Sequence, residues 1–430
     1  MRAGALVPVD RTEQRYRHHR LVAETLRAEL ARREPEREPE LHRRACAWHA
    51  DAGDTDRAIH HALAAGDRHH AAGLVWRQVP AAVAEGRFAV LERWLSHFTA
   101  AQLAAEPGLA LVAGGCALVR GQGHLVEHWC SVAAASSPPP RLARTVTAAT
   151  AAMRAAIAPD GPGRMLDDAD RARAADVGDG AWQALCCLLE GTAQRLLGAP
   201  AEAAPKLAEG ARRAAVPAPA LQALCLAGSA LLALEDEDWE GAAVHIVRAR
   251  AQVDRHGLGA YPTTALVYAV SAVVRAQRGR IEGARGDLEA AARLQAALTD
   301  FAPCYQAEVS LLLAHAALRL GEAGLARDHV EAAARQLQRT PGVPVLERWL
   351  SSARCTLDSL ESVPRAAMTA AELRTLRYLP THLSFREIAE RSCVSANTVK
   401  SQANAVYRKL AVSSRSEAVE QARARGLLDA

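Results

Sequence analysis

Between Leu41 and Leu350 the apolar positions recur at a spacing near 3.6 residues, which predicts amphipathic helices, and no stretch there alternates as a strand would. A local phrase repeats. A helix closes on a short loop containing Gly, and an Ala-rich amphipathic helix follows. It reads HALAAGDRHHAAGLV from His61, AEGRFAVLERWL from Ala84, LLGAPAEAAPKLAEGARRA from Leu196 and LEDEDWEGAAVHIVRARA from Leu234. It continues as QRGRIEGARGDLEAAARL from Gln277 and RLGEAGLARDHVEAAARQL from Arg319. The last two start about forty residues apart, a spacing typical of stacked helical pairs. One pair cannot bury its own apolar stripe, so neighbouring pairs are expected to stack, share stripes and curve into a superhelix. A non-repetitive helical bundle is the alternative that the pattern leaves open. SSPPPR (Ser136–Arg141), APDGPGR (Ala158–Arg164) and RTPGVPV (Arg339–Val345) cannot continue helices and read as loops between units.

The pattern changes after LESVPRAAM (Leu360–Met368), where Pro364 stops the preceding helix. Three S/T-x-x-E signatures follow, at Thr369/Glu372, Ser384/Glu387 and Ser414/Glu417, and each predicts a capping box. Ser395 supplies a further N-cap. These signals predict four short helices at about 369–379, 384–391, 395–410 and 414–425. On a wheel of 100° per residue, Val399, Ala403, Val406 and Leu410 of the third helix share one sector, with Tyr407 at its edge. Asn397, Ser401, Asn404 and Arg408 lie opposite, flanked by Lys400. The apolar sector is expected to pack on the first two helices through Leu373, Leu376, Ile388 and Ala389. No acid occurs between Glu390 and Glu417. A lone basic face would be at home in water. Together with the caps and the missing carboxylates, this one suits a groove lined with phosphates and base-edge acceptors.

Charge sharpens that reading. The whole chain carries +4, and residues 369–430 hold ten Lys/Arg against six Asp/Glu, so the terminal module carries the entire excess. A basic end on a neutral body points to a polyanion partner at that end. Hydrophobic residues make up half the chain but aromatics only 4%, so the packing is expected to rest on Ala, Leu and Val. The longest apolar runs, Leu109–Val119 and Thr264–Val274, are about half the roughly twenty residues a membrane span needs, and no signal peptide is legible. A soluble cytoplasmic protein is expected.

Catalytic and metal chemistry find no support. The nine cysteines, Cys46, Cys116, Cys130, Cys186, Cys187, Cys225, Cys304, Cys355 and Cys393, form no C-x-x-C pair and read as reduced, mostly buried thiols, Cys186–Cys187 included. The pairs His18–His19, His60–His61 and His69–His70 point their rings about 100° apart on a helix, and no tetrahedral ligand set is completed. No nucleophile–base arrangement is legible. The expectation is no enzyme, no metal and no cofactor.

The module MTAAELRTLRYLPTHLSFREIAERSCVSANTVKSQANAVYRKLAVSSRSEAVEQARARGLL resembles the LuxR/GerE-type helix-turn-helix along its length. The matching residues include Glu372, Leu376, Ile388, Ala389, Val394, Ser395, Thr398, Val399, Lys400, Tyr407, Lys409, Leu410, Ser414, Arg415, Ala418 and Val419. The resemblance implies a four-helix domain whose third helix enters the major groove of double-stranded DNA and whose fourth supports a homodimer. It puts base reading on Lys400, Ser401 and Asn404, and phosphate contacts on Thr398, Arg408, Lys409 and Arg415. Four such contacts per subunit imply a log–log salt slope near −7 for a dimer. The chain departs from that family at Ser392 and Cys393, where bulky apolar residues are usual, and at Gln402, where His is common.

The body resembles tetratricopeptide-like repeats and, over residues 15–350, the repeat region of MalT-like regulators. In RYRHHRLVAETLRAELARR (Arg15–Arg33) and LHRRACAWHADAGDTDRAIHHALAAGD (Leu41–Asp67) the likeness is clearest. It implies a protein or small-molecule inducer on the repeats. No G-x-x-x-x-G-K-[ST] phosphate loop occurs, so no ATPase activity is expected. The reading is all-α, with a helical segment at 1–40, a repeat domain at 41–360, a linker at 361–368 and a helix-turn-helix at 369–430. A sequence-specific transcription regulator is expected, and a protein-binding adaptor with a degenerate tail is the competing reading.

Overall fold

The computed structural model describes residues 6–8, 16–18, 20–84, 88–136, 138, 140–175, 180–340, 342–362, 368–381, 383–392, 394–410, 412–424 and 427–428. His19, Pro364 and Cys393 lie outside them. The fold is all-α apart from a three-residue antiparallel ladder near the start, Leu6–Pro8 with Tyr16–His18. Contacts divide the chain into two compact units, residues 1–350 and 351–430, with the division inside the helix Pro344–Ser362. Among the described residues, no helix is long and apolar enough to cross a membrane.

The larger unit is built from helices packed in sequential pairs. Its best-defined stretch comprises Gly180–Leu196 with Pro200–Arg213, Pro219–Glu235 with Trp239–Arg255, Ala265–Gln277 with Ile281–Ala296, and Pro303–Arg319 with Ala323–Gln338. The pairs turn in the same way. Gly198, Gly279 and Gly321 adopt positive φ of 83°, 70° and 76° just after the first helix of each pair, which ends it without a Cβ clash. Glu237 holds the equivalent place in the remaining pair at φ 58°, where a side chain is strained. Glu237→Gly is therefore expected to stabilise the array by about 1 kcal/mol, read as a rise in the thermal midpoint of the purified chain.

The forty-residue period reappears as links between neighbouring units. Arg93 reaches Asp56, Arg250 reaches Asp287 and Arg285 reaches Glu322, each across 37 residues. Arg195 reaches Glu235 across 40, and the Tyr305 hydroxyl donates to the Thr263 carbonyl across 42. Alanines such as Ala58, Ala193, Ala227, Ala269 and Ala314 are fully buried, so small side chains let the helices approach closely.

The array also turns back on itself. Gly123 N–H donates to Thr299 O at 3.0 Å, and Thr299 N–H donates to Gly121 O at 2.9 Å. Beside this bridge Ala117, Val126 and Cys130 pack with Leu298, Phe301 and Ala302. Only glycine fits at 123, because a Cβ there would fall 1.9 Å from the Asp300 carbonyl oxygen.

One ionic group lies deep inside. Arg195, with 1% of its side chain exposed, bonds Glu235 at 2.6 Å and also Glu308, which is itself 2% exposed. Burial, together with the negative charge of Glu235, pushes the Glu308 carboxyl above its usual range despite the guanidinium beside it. Cys355 is exposed and the other described cysteines are buried, with burial pushing Cys116, Cys130, Cys186 and Cys304 up to about 12. His61 sits 2.9 Å from His42 through their Nδ1 atoms, and burial and the neighbouring imidazole hold it below the usual histidine range. Among the described residues, no group of three or more His, Cys, Asp or Glu side chains is placed to hold a metal ion.

Candidate nucleic-acid interface

The smaller unit carries four short helices at its end: Ala370–Tyr378, Phe385–Ser392, Ala396–Leu410 and Arg415–Ala424. Their starts are capped. Thr369 Oγ1 accepts from Glu372 N–H at 3.3 Å, and the Glu372 carboxylate takes the Thr369 N–H in return. Ser384 and Glu387 exchange the same two bonds at 3.3 and 2.7 Å. Ser395 Oγ accepts from Thr398 N–H at 3.1 Å. At the fourth helix the pattern shifts by one residue. Ser414 Oγ accepts from Glu417 N–H, but the Glu417 carboxylate takes the N–H of Ser413 at 2.9 Å.

The third helix has two unlike sides. Val399, Ala403 and Val406 are fully buried and Leu410 is 2% exposed. Val399 packs with Ile388 and Ala389 of the second helix, while Val406 and Leu410 join Leu376, Leu379, Ala418 and Ala422. This anchors the helix to all three others. On the opposite side Asn397, Thr398, Lys400, Ser401, Asn404 and Arg408 are all exposed. Among the described residues neither Lys400 nor Arg408 has a carboxylate partner, so this face keeps its positive charge.

One expectation needs correction, and two residues read as phosphate contacts have partners within the domain. Leu373, expected in the core, is 37% exposed. The buried stripe of the first helix is Glu372, Thr375, Leu376 and Leu379, spaced i, i+3, i+4, i+7, and Leu373 lies about 100° from its start. Arg415, read as a phosphate contact, is turned into its own domain. Its guanidinium donates to the carbonyls of Leu379 at 2.9 Å, Leu383 at 2.8 Å, Thr381 at 2.6 Å and Tyr378 at 3.3 Å. Those acceptors lie at the end of the first helix and in the loop after it, where Tyr378 O also accepts from the Thr381 amide and hydroxyl, so Arg415 helps to close that terminus. Lys409, also read as a phosphate contact, lies 2.6 Å from the Glu372 carboxylate and ties the third helix to the first. Burial alone would raise the Glu372 pKa. The hydrogen bonds from Lys409 and from the Thr369 amide more than offset that, and the carboxyl lies below its ordinary range.

One further contact was not expected, and one hydroxyl stands without a partner among the described residues. Gln402 accepts from the buried Thr375 hydroxyl at 2.7 Å, so this departure has become an internal link between the first and third helices. Among the described residues the buried Ser392 hydroxyl oxygen has no hydrogen-bond partner, and Cys393 lies outside them. A sequence signal for Arg415 did exist. A cation in the first turn of a helix opposes the helix dipole and needs acceptors elsewhere.

Arg415→Ala removes four charge-assisted bonds at once and is expected to destabilise the terminal unit by about 2–3 kcal/mol in thermal or denaturant melts. Arg415→Lys recovers only part of that, because an ammonium lacks the planar fork that spans four carbonyls.

Residues 366–422 match the family described as bacterial regulatory proteins, luxR family. The terminal module is thus a luxR-family helix-turn-helix domain, which supports a DNA-binding transcription regulator. Serine/threonine-protein kinase PknK of Mycobacterium tuberculosis and that of Mycobacterium bovis are each 47% identical to this chain over 60 residues. The alignment covers 14% of this chain and 5% of those proteins, so the chain spans a small fraction of the length of the curated relatives it matches. No solved structure matches the chain. The family match covers residues 366–422 and does not reach residues 15–350.

Proposed function

We propose that this chain is a sequence-specific transcription regulator, with the luxR-family domain as its output and the helical array as the input that meets a protein or small-molecule inducer. It acts as a homodimer on a two-fold DNA site in the bacterial cytoplasm, its last helix supporting the pairing. The observation that carries this reading is the two-sidedness of Ala396–Leu410, anchored through one fully buried side with the other exposed, basic and free of acid. A major groove takes such a helix, and the uncompensated cations are then met by phosphates.

Lys400, Ser401 and Asn404 read base edges, since Lys can donate to guanine and Asn can both donate to and accept from adenine. Thr398 and Arg408 contact phosphates and set register. Lys409 ties the third helix to the first, and Arg415 ties the fourth helix to the loop after the first, rather than touching DNA. The test is the salt dependence of specific binding. With Lys400 and Arg408 as the cations at the interface, a dimer is expected to show a log–log slope near −4. A slope near −7 returns Lys409 and Arg415 to the phosphates. Absence of specific duplex binding would favour the adaptor reading, although the intact caps and packed core of this domain are not what a decaying tail would keep.

A further inference from the structure

Within the turn of the array lies a partly open cavity of about 1100 Å³. It matches or exceeds the volume of pockets that hold drug-sized ligands. Its wall is overwhelmingly hydrocarbon and aromatic, including Trp76, Phe88, Leu111, Met153, Trp182 and Leu221.

The polar part of the wall is sparse and specific. The Tyr305 hydroxyl is already engaged, donating to Thr263 O at 2.6 Å and accepting from Leu266 N–H at 3.0 Å. A sugar or nucleotide would leave most of its polar groups unpaired here, which is costly in an apolar site. Besides His256, the acidic and basic side chains on the wall are Arg195 and Glu308, each more than nine-tenths buried. Arg195 also bonds Glu235, so one guanidinium faces two carboxylates and the set is one positive charge short of balance. That deficit can be met by a proton on Glu308, whose carboxyl burial and Glu235 already push up, or by a cationic guest that brings the second positive charge.

We propose that this cavity binds a lipophilic cation of drug size, an amine on a mostly hydrocarbon or aromatic frame, with its charged end toward Glu308 and its frame against the tryptophans. The aromatic faces add cation–π attraction for the same charge sign. This deepens the reading of the array as an input and rests on it for the consequence, but binding itself is read without DNA, so a failure of either claim leaves the other standing.

The experiment uses the full chain and follows quenching of intrinsic tryptophan fluorescence, to which Trp76 and Trp182 contribute. The probes are imipramine, which is cationic at neutral pH, iminodibenzyl, which has the same ring system without the charge, and sucrose. Imipramine is expected to bind saturably and at least about tenfold more tightly than iminodibenzyl, with sucrose silent. Ala156→Phe, which intrudes on the cavity, is expected to weaken both aromatic probes about tenfold or more. Glu308→Gln is expected to bring the two within about twofold of each other. Should that variant fail to fold, the charge preference of the wild-type chain and the effect of Ala156→Phe still decide the matter. Equal affinity of the wild type for both probes overturns the cationic assignment. Unchanged imipramine binding in Ala156→Phe, or no saturable binding of either probe, overturns the site.

Discussion

Arg195→Leu is expected to cost the helical array about 3–5 kcal/mol, a large share of the roughly 5–15 kcal/mol a domain ordinarily has. The size comes from what remains rather than from what is lost. Removing the guanidinium leaves Glu235 and Glu308 facing each other, with Glu308 only 2% exposed and no cation to compensate either. Such a pair relieves itself by taking up a proton. A carboxyl whose folded pKa lies above its unfolded value stabilises fully below the unfolded value, about 4.3, and that contribution is lost as pH rises through the folded pKa. Glu308 is already raised in the wild type, so the wild-type array gives up some stability over that range and the variant gives up more. The deficit of Arg195→Leu is therefore expected to be smallest near pH 4 and to widen toward neutrality, measured by denaturant melts across pH. Replacing all three together, with Arg195→Met, Glu235→Leu and Glu308→Leu, removes the charges in concert and is expected to recover most of the loss. A pH-independent deficit would show that the two carboxylates are not coupled in the way their shared guanidinium implies.

Lys400→Glu carries the second large expectation. Lys400 is exposed, about 100° around the helix from the buried Val399, so the substitution leaves the domain core intact and the melting transition unchanged within about 0.5 kcal/mol. Its effect on DNA is another matter. It deletes a base-edge donor, worth about 1–3 kcal/mol, and places a carboxylate among phosphates on each half-site, so specific affinity is expected to fall by more than about 100-fold. Arg408→Ala provides the contrast. A phosphate contact sets affinity without reading sequence, so this variant should weaken binding to all duplexes alike and flatten the salt slope by about 1 per subunit. If Lys400→Glu and Arg408→Ala weaken specific and random duplexes equally, Lys400 reads no base.

The fold was legible wherever structure is local. The Gly-containing phrases marked the turns at Gly198, Gly279 and Gly321, and the forty-residue spacing became the 37–42-residue links between units. The closure of the array through Gly123 and Thr299 was not legible, because two loops that far apart in sequence carry no shared pattern. Arg195 was equally hidden. An arginine in LLEGTAQRLLG reads as a side chain reaching for water, and only the third dimension brings Glu235 and Glu308 to it.

The site divides in the same way. A helical wheel was enough to separate Val399, Ala403, Val406 and Leu410 from Lys400, Ser401, Asn404 and Arg408, since one helix decides that geometry. It failed for the first helix, where polar Glu372 and Thr375 take buried places through the capping box and Gln402 while Leu373 does not. The partners of Lys409 and Arg415 within the domain were not legible either, because a basic residue beside a DNA-binding face looks the same from sequence whatever acceptor it meets.

The central claim, that the exposed face of Ala396–Leu410 reads duplex sequence, is tested most directly by selecting from random duplexes with the full chain and with its Asn404→Ala variant. The account predicts a two-fold motif from the wild type and a loss of preference at the adenine-bearing position of each half-site in the variant. An identical motif from both proteins, or no enrichment from a folded wild-type chain, would contradict it.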